Sequence, residues 1–189
     1  MLHSAHCRAC KVRVRELLAA IYGDCQVNRG FEWPSQPQGY AHTLIGAPLQ
    51  QIADALGNLR GHRDYIKSPT MPPCDYFIAD PGFILEFDES QHFSWPRLIT
   101  LAQYPQDLQV GYSISRWQTL CRQIAAVDNT PLDRDERRAW YDTLRDLLPI
   151  IHGFRPTVRL YAGDFQWCAL DPGNAADRAT FAARCESRL

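Results

Sequence analysis

The stretch CDYFIADPGFILEFDESQHF, residues 74–93, decides how the chain folds. Asp80-Pro81-Gly82 is turn chemistry, and Tyr76–Ala79 and Phe83–Asp88 on either side are rich in aromatic and branched residues, so the spacing predicts a β-hairpin. In its second strand the two-residue period puts Ile84, Glu86 and Asp88 on one face, with Phe83, Leu85 and Phe87 on the other. If Asp80 and Pro81 form the loop, Asp75 stands directly across from Glu86 on that same face, whereas a three-residue loop would set it opposite Phe87. Like charges across a ladder destabilise a sheet, so folding alone does not favour Asp75 against Glu86, and a cation is expected between them. A hard divalent ion such as Mg²⁺ or Mn²⁺ takes carboxylate oxygens and keeps several waters, one of which can become a nucleophile. The plainer alternative is that Asp75 caps a turn and Glu86 pairs with an arginine. Three acids at one hairpin, followed at once by Gln91 and His92, favour a functional cluster.

Working outward, Val14, Leu17, Leu18 and Ile21 recur at helical spacing before Gly23 and predict a first helix from Cys10 to Tyr22, with a strand near 25–32. Prolines and glycines from Trp33 to Pro48 mark a long loop, and Leu49, Ile52, Ala53, Leu56 and Leu59 the stripe of a second helix, so 33–72 reads as an insertion. Downstream, Ser115 and Gln118 have capping-box spacing ahead of a helix carrying Trp117, Leu120, Cys121 and Ile124, and Asp133 with Glu136 repeats the device. The long helix RDERRAWYDTLRDLLPII, residues 134–151, then turns Trp140, Leu144, Leu147, Leu148 and Ile151 to a core. Its Arg134, Asp135, Arg138, Asp142, Arg145 and Asp146 are expected to face away, with Arg138 and Asp142 as a surface pair. Thr157–Tyr161 is a last strand whose Arg159 points away from Val158 and Leu160, toward phosphate or solvent. Trp95 is expected in the core, with Arg97 beside it able to pair with phosphate. The other tryptophans read as core or loop anchors.

The 189 residues, 46% hydrophobic and 22% charged, suit one compact domain over 1–189. No apolar run approaches the ~20 residues of a membrane span, and the start MLHSAHCRACKVRVRELL has no apolar core of a leader, so a cytoplasmic protein is expected. A net charge of −1 gives no general pull toward nucleic acid, although nearly all the basic residues are arginine, the type that forks onto phosphate. Seven cysteines read as reduced thiols. Cys7-x-x-Cys10 with His3 and His6 nearby could supply zinc ligands, and Cys25, Cys121 and Cys168 are more distant candidates.

The order Asp75 on one strand, Glu86-Phe87-Asp88 on the next, then Gln91-His92, resembles the PD-(D/E)xK nuclease superfamily, above all the branch of very-short-patch-repair endonucleases. The resemblance covers about half the chain, leaving 33–72 and the C-terminal segment unmatched. It implies an α/β, restriction-endonuclease-like αβββαβ core with an inserted loop and helix, and metal-dependent cleavage of a phosphodiester in nucleic acid, with DNA the first substrate to consider. Asp75, Glu86 and the carbonyl of Phe87 would hold Mg²⁺ or Mn²⁺, and Glu16 of the first helix is either an assisting acid or an exposed helical glutamate. Asp88 replaces the usual lysine and Glu89 the usual glycine, so Asp88, Gln91 and His92 are left to position or activate the water. Two readings of other classes stand beside this one: the same fold kept as a non-catalytic nucleic-acid- or protein-binding module, and a zinc-dependent hydrolase using His92.

Overall fold

The computed structural model describes residues 7–186, so His3 and His6 lie outside the described residues. Helix α1 (Arg8–Tyr22) starts one residue after Cys7, whose sulfur accepts the Cys10 N–H, and stops at Gly23, whose φ of 87° a side chain would resist. Strand β1 is only Gln26–Val27, shorter than expected, because Asn28 takes a left-handed φ of 53° and breaks the ladder. The chain stays tied to its neighbour beyond the break through Asn28 N–H to Asp75 O and Cys74 N–H to Arg29 O. Helix α2 (Gly46–Leu59) lies inside the 33–72 segment and buries the expected Leu49, Ile52, Ala53 and Leu56 in the same core as the long helix.

The hairpin is β2 (Tyr76–Ile78) and β3 (Phe83–Asp88), paired Ile78 to Phe83 and Tyr76 to Leu85, which carries Asp75 to the position across from Glu86. Gly82 makes the turn at φ +85°, with the Phe154 ring packed where its side chain would be. Three helices follow: α3 (Trp95–Leu101), α4 (Ile114–Ile124) and α5 (Arg134–Ile151). Strand β4 (Val158–Tyr161) then returns parallel to β3, with Glu86 beside Arg159 and Asp88 beside Tyr161, and α6 (Ala175–Glu186) ends the described chain. The result is a mixed α/β fold whose four-stranded sheet runs β1-β2-β3-β4, with six α-helices among the described residues.

The two faces of β3 divide the core as the alternation predicts. Phe83, Leu85 and Phe87, with Val158 and Leu160, pack under α1, α6 and Trp167, while Ile84 and Phe77 join the cluster built with α2, α3, α4 and α5. On this second side the sheet also presents Glu86, Asp88 and Arg159, all buried, and α5 covers them.

Caps and helix faces differ from expectation in instructive ways. The α4 cap is Ser113, which accepts the Arg116 N–H; Ser115 is already in the helix. Asp133 makes no side-chain capping bond, and Glu136 is fully buried against Arg60 instead of reaching back to it. Helix α5 does turn Trp140, Leu144, Leu147 and Leu148 into the core, but its Asp135, Asp142 and Asp146 are also buried and its Arg145 side chain is only 12% exposed. Charge was expected outside because an amphipathic helix usually has one wet face; here both faces are covered, and the charges are tolerated by pairing with the sheet. Arg138 accordingly pairs with Asp128 and Asp135, not with Asp142.

Candidate functional site

Asp75 and Glu86 are stitched together crosswise. The Asp75 N–H donates to Glu86 Oε1 at 3.0 Å, and the Phe87 N–H donates to Asp75 Oδ2 at 2.9 Å, so each acid is fixed by the backbone of the opposite strand. The cation that the like-charge pairing called for is supplied at least in part by the chain itself: Lys11 Nζ lies 3.5 Å from Asp75 Oδ1, and Arg145 Nε 3.4 Å from Glu86 Oε1. Helix α1 is brought to this end of the hairpin by the Tyr76 hydroxyl, which donates to Lys11 O at 2.8 Å.

Compensation of Glu86 is incomplete. Burial raises its pKa from 4.5 to about 7, and nearby Asp75 pushes the same way against the pull of Arg145. Arg145 Nε is itself buried without a hydrogen-bond partner, while its Nη2 donates to Pro73 O at 3.0 Å. Asp75 is different, with a side chain 27% exposed.

Asp88 belongs to a second, closed cluster on the same sheet face. Its Oδ1 accepts from Arg159 Nη1 and its Oδ2 from Trp117 Nε1, both at 2.7 Å, and the residue is 1% exposed. Arg159 also donates through Nε to Asp146 Oδ1 at 2.7 Å, and Arg97, Tyr104 and Tyr112 donate to Asp146 Oδ2. The expectation that Arg159 and Arg97 reach phosphate or solvent is therefore corrected: both are buried, Arg159 against Asp88, Asp142 and Asp146, and Arg97 against Asp146. Trp95 is corrected in the opposite sense; as the first residue of α3 it points outward and is 60% exposed.

His92 joins this second cluster. Its Nδ1 is 2.9 Å from Asp142 Oδ2 and 3.5 Å from Asp88 Oδ1. Burial opposes a charge on the ring, but Asp142 and Asp88 outweigh it and hold the imidazole pKa above 6.5, so Nδ1–H donates to Asp142. The Asp142 and Asp146 carboxyls, despite burial, are held below the usual range by His92 and Arg159 and by Arg159 and Arg97 respectively. Asp88, His92 and Asp142 thus form one possible metal-binding group, and Cys7, Cys10 and Cys168 form another, the ligand atoms of each lying within 4.8 Å of one another.

Comparison with protein-family models, curated proteins and solved structures gives no match. Asp75 and Glu86 are brought together; Asp88 and His92 meet each other and Asp142; Gln91 Nε2 donates to Glu89 at 3.3 Å; and Glu16 pairs with Arg13 on the exposed side of α1. Sequence reasoning missed Lys11, Arg145, Asp142 and Arg159 as members of the site. Arg159 carried a usable signal, since alternation in β4 puts it on the face that Glu86 and Asp88 share, provided β4 is known to lie beside β3. No described helix is long and apolar enough to cross a membrane.

Proposed function

We propose that the protein is a metal-dependent phosphodiester hydrolase, an endonuclease acting on nucleic acid and in the first instance on DNA. The observation that carries the reading is the pairing of Asp75 with Glu86 across the hairpin, one acid part-exposed and the other buried with a pKa near 7. A buried carboxylate that its own arginine does not fully neutralise is a site where a divalent cation gains most. Two carboxylates and the Phe87 carbonyl make the hard oxygen set that Mg²⁺ or Mn²⁺ prefers. Those residues would hold the ion, which when bound supplies charge neutralisation at the phosphoryl group and an acidified water.

The remaining roles fall to the chain. The crosswise backbone bonds fix Asp75 and Glu86 before any ion arrives. Lys11 places an ammonium beside the open acid, in a strand pair where Asp88 stands in place of a lysine. Arg8, Lys11 and Arg15, spaced three and four apart, give α1 a cationic face next to that acid, and this local charge answers the near-neutral net charge of the chain. His92, anchored through Nδ1 on Asp142 and drawn toward its charged form by Asp142 and Asp88, presents its other ring nitrogen to exchange a proton with water or the leaving oxygen. Asp88, with both oxygens taken, acts through Arg159 and Trp117 as a positioning residue.

One observation favours a non-catalytic binding module instead: Lys11 and Arg145 already oppose the two acids. The readings part on a single experiment. Purified protein is mixed with Mg²⁺ or Mn²⁺ and supercoiled, linear or single-stranded DNA, alongside Asp75→Ala and Glu86→Ala. Metal-dependent cleavage lost in both variants is expected; DNA binding without cleavage by the wild type selects the module.

A further inference from the structure

We propose that Cys7, Cys10 and Cys168 form a zinc site that fastens the start of α1 to the segment after β4. The site is separate from the hairpin acids, and either can fail without the other. Cys7 precedes α1 and Cys10 sits in its first turn, the Cys-x-x-Cys spacing that lets two sulfurs converge on one ion. Cys168 comes from the short helical turn Trp167–Ala169, far along the chain, which supplies the separated third donor that a local pair lacks.

Three features say that the sulfurs are arranged to hold an ion. Their Sγ atoms all lie within 4.8 Å of one another, and tetrahedral Zn–S bonds of ~2.3 Å need sulfurs about 3.8 Å apart, so closure asks for a contraction of about 1 Å at most. Cys7 Sγ already accepts the Cys10 N–H at 3.3 Å, which holds that sulfur over the first turn of α1 beside the Cys10 side chain. The two segments are also fixed relative to each other without the metal, by the Arg13 Nη1 bond to Leu170 O at 2.8 Å and by the shared core of Leu17, Trp167 and Phe181. Soft thiolates select zinc over Mg²⁺, so the two proposed sites do not compete for one ion. Three sulfurs leave the fourth tetrahedral position of the ion to solvent.

The test uses the full chain, purified under reducing conditions from zinc-supplemented medium. Zinc content is measured by mass spectrometry, and the Co²⁺-substituted protein is examined for thiolate charge-transfer and tetrahedral d–d absorption. About one zinc per chain is expected in the wild type and in Cys121→Ser, a buried cysteine of the other core, with at least a tenfold fall in Cys168→Ser. Background zinc with no cobalt bands in the wild type overturns the site, and that measurement needs no variant to fold. Unchanged zinc in Cys168→Ser, or recovery of two of the three cysteines as a disulfide under native conditions, overturns it equally.

Discussion

Two groups of acids meet on the side of the sheet that α5 covers and are treated in opposite ways. Around Asp88, Asp142 and Asp146, each carboxylate meets two or more arginine, histidine, tyrosine or tryptophan donors, and Asp142 and Asp146 ionise more readily than in water. Around Asp75 and Glu86, a few residues away, the donors are mainly backbone N–H groups, and Glu86 ionises less readily than in water. Burial is alike for Asp142, Asp146 and Glu86 at 0%, 0% and 3%, so the difference lies in the number and charge of the partners. A fully matched cluster leaves little for an added cation to gain, whereas an undermatched one is where the proposed ion would gain most.

The largest effect expected from this contrast is structural. Asp146→Ala leaves Arg97 and Arg159 buried without their shared partner and should lower unfolding stability by about 3–5 kcal/mol, read by denaturant titration. Asp75→Ala removes a part-exposed acid and the acceptor of the Phe87 N–H, and should cost only about 1–2 kcal/mol while abolishing metal-dependent cleavage. Equal losses for the two would erase the distinction between the clusters.

Next in size is the pH response of Glu86. Its folded pKa lies above its unfolded value, so ionising it opposes folding: the penalty is absent below about pH 4.5 and complete above about pH 7. The rise from 4.5 to about 7 corresponds to roughly 3 kcal/mol, and Glu86→Gln should remove that fall in stability across the window. An unaltered profile would mean that Arg145 compensates the acid after all.

His92 gives the opposite cluster its own signature. Because its folded pKa is raised, its contribution is full below about pH 6.5 and lost as pH rises through the folded value. His92→Gln should cost about 2 kcal/mol at pH 5.5, on the scale of a charge-assisted hydrogen bond, and less at pH 9. The smallest effect is that of Lys11→Ala. Its pair with Asp75 is 36% and 27% exposed, so stability should move by less than about 1 kcal/mol while DNA affinity falls and becomes less dependent on salt.

The same contrast explains what was legible in the sequence. The hairpin could be read because Asp80-Pro81-Gly82 marks the turn and a period of two assigns every side chain of β3 to a face, whereas the register stayed open between two loop lengths and is fixed by the pairing of Tyr76 with Leu85. The length and apolar stripe of α5 were equally plain from Trp140, Leu144, Leu147 and Leu148. What could not be read was the ionic seam, since periodicity counts Asp142, Arg145 and Asp146 as solvent-facing and is blind to a sheet that offers Arg159 and Asp88 in return. Trp95 and Arg97 exchanged environments for the same reason: hydropathy alone sends the ring inward and the guanidinium outward, but three carboxylates lay buried where the arginines could meet them. The third sulfur at Cys168 was only a distant candidate, because nothing local signals that the turn after β4 returns to the start of α1.

The central claim, that Asp75 and Glu86 hold a divalent cation, is tested most directly by titrating Mn²⁺ into the protein and following the loss of the free-ion electron paramagnetic resonance signal. The account predicts that one ion per chain binds to the wild type, more tightly as pH rises through about 7, and that binding disappears in Glu86→Gln. Absence of binding to the wild type, or the same affinity in Glu86→Gln, would contradict it.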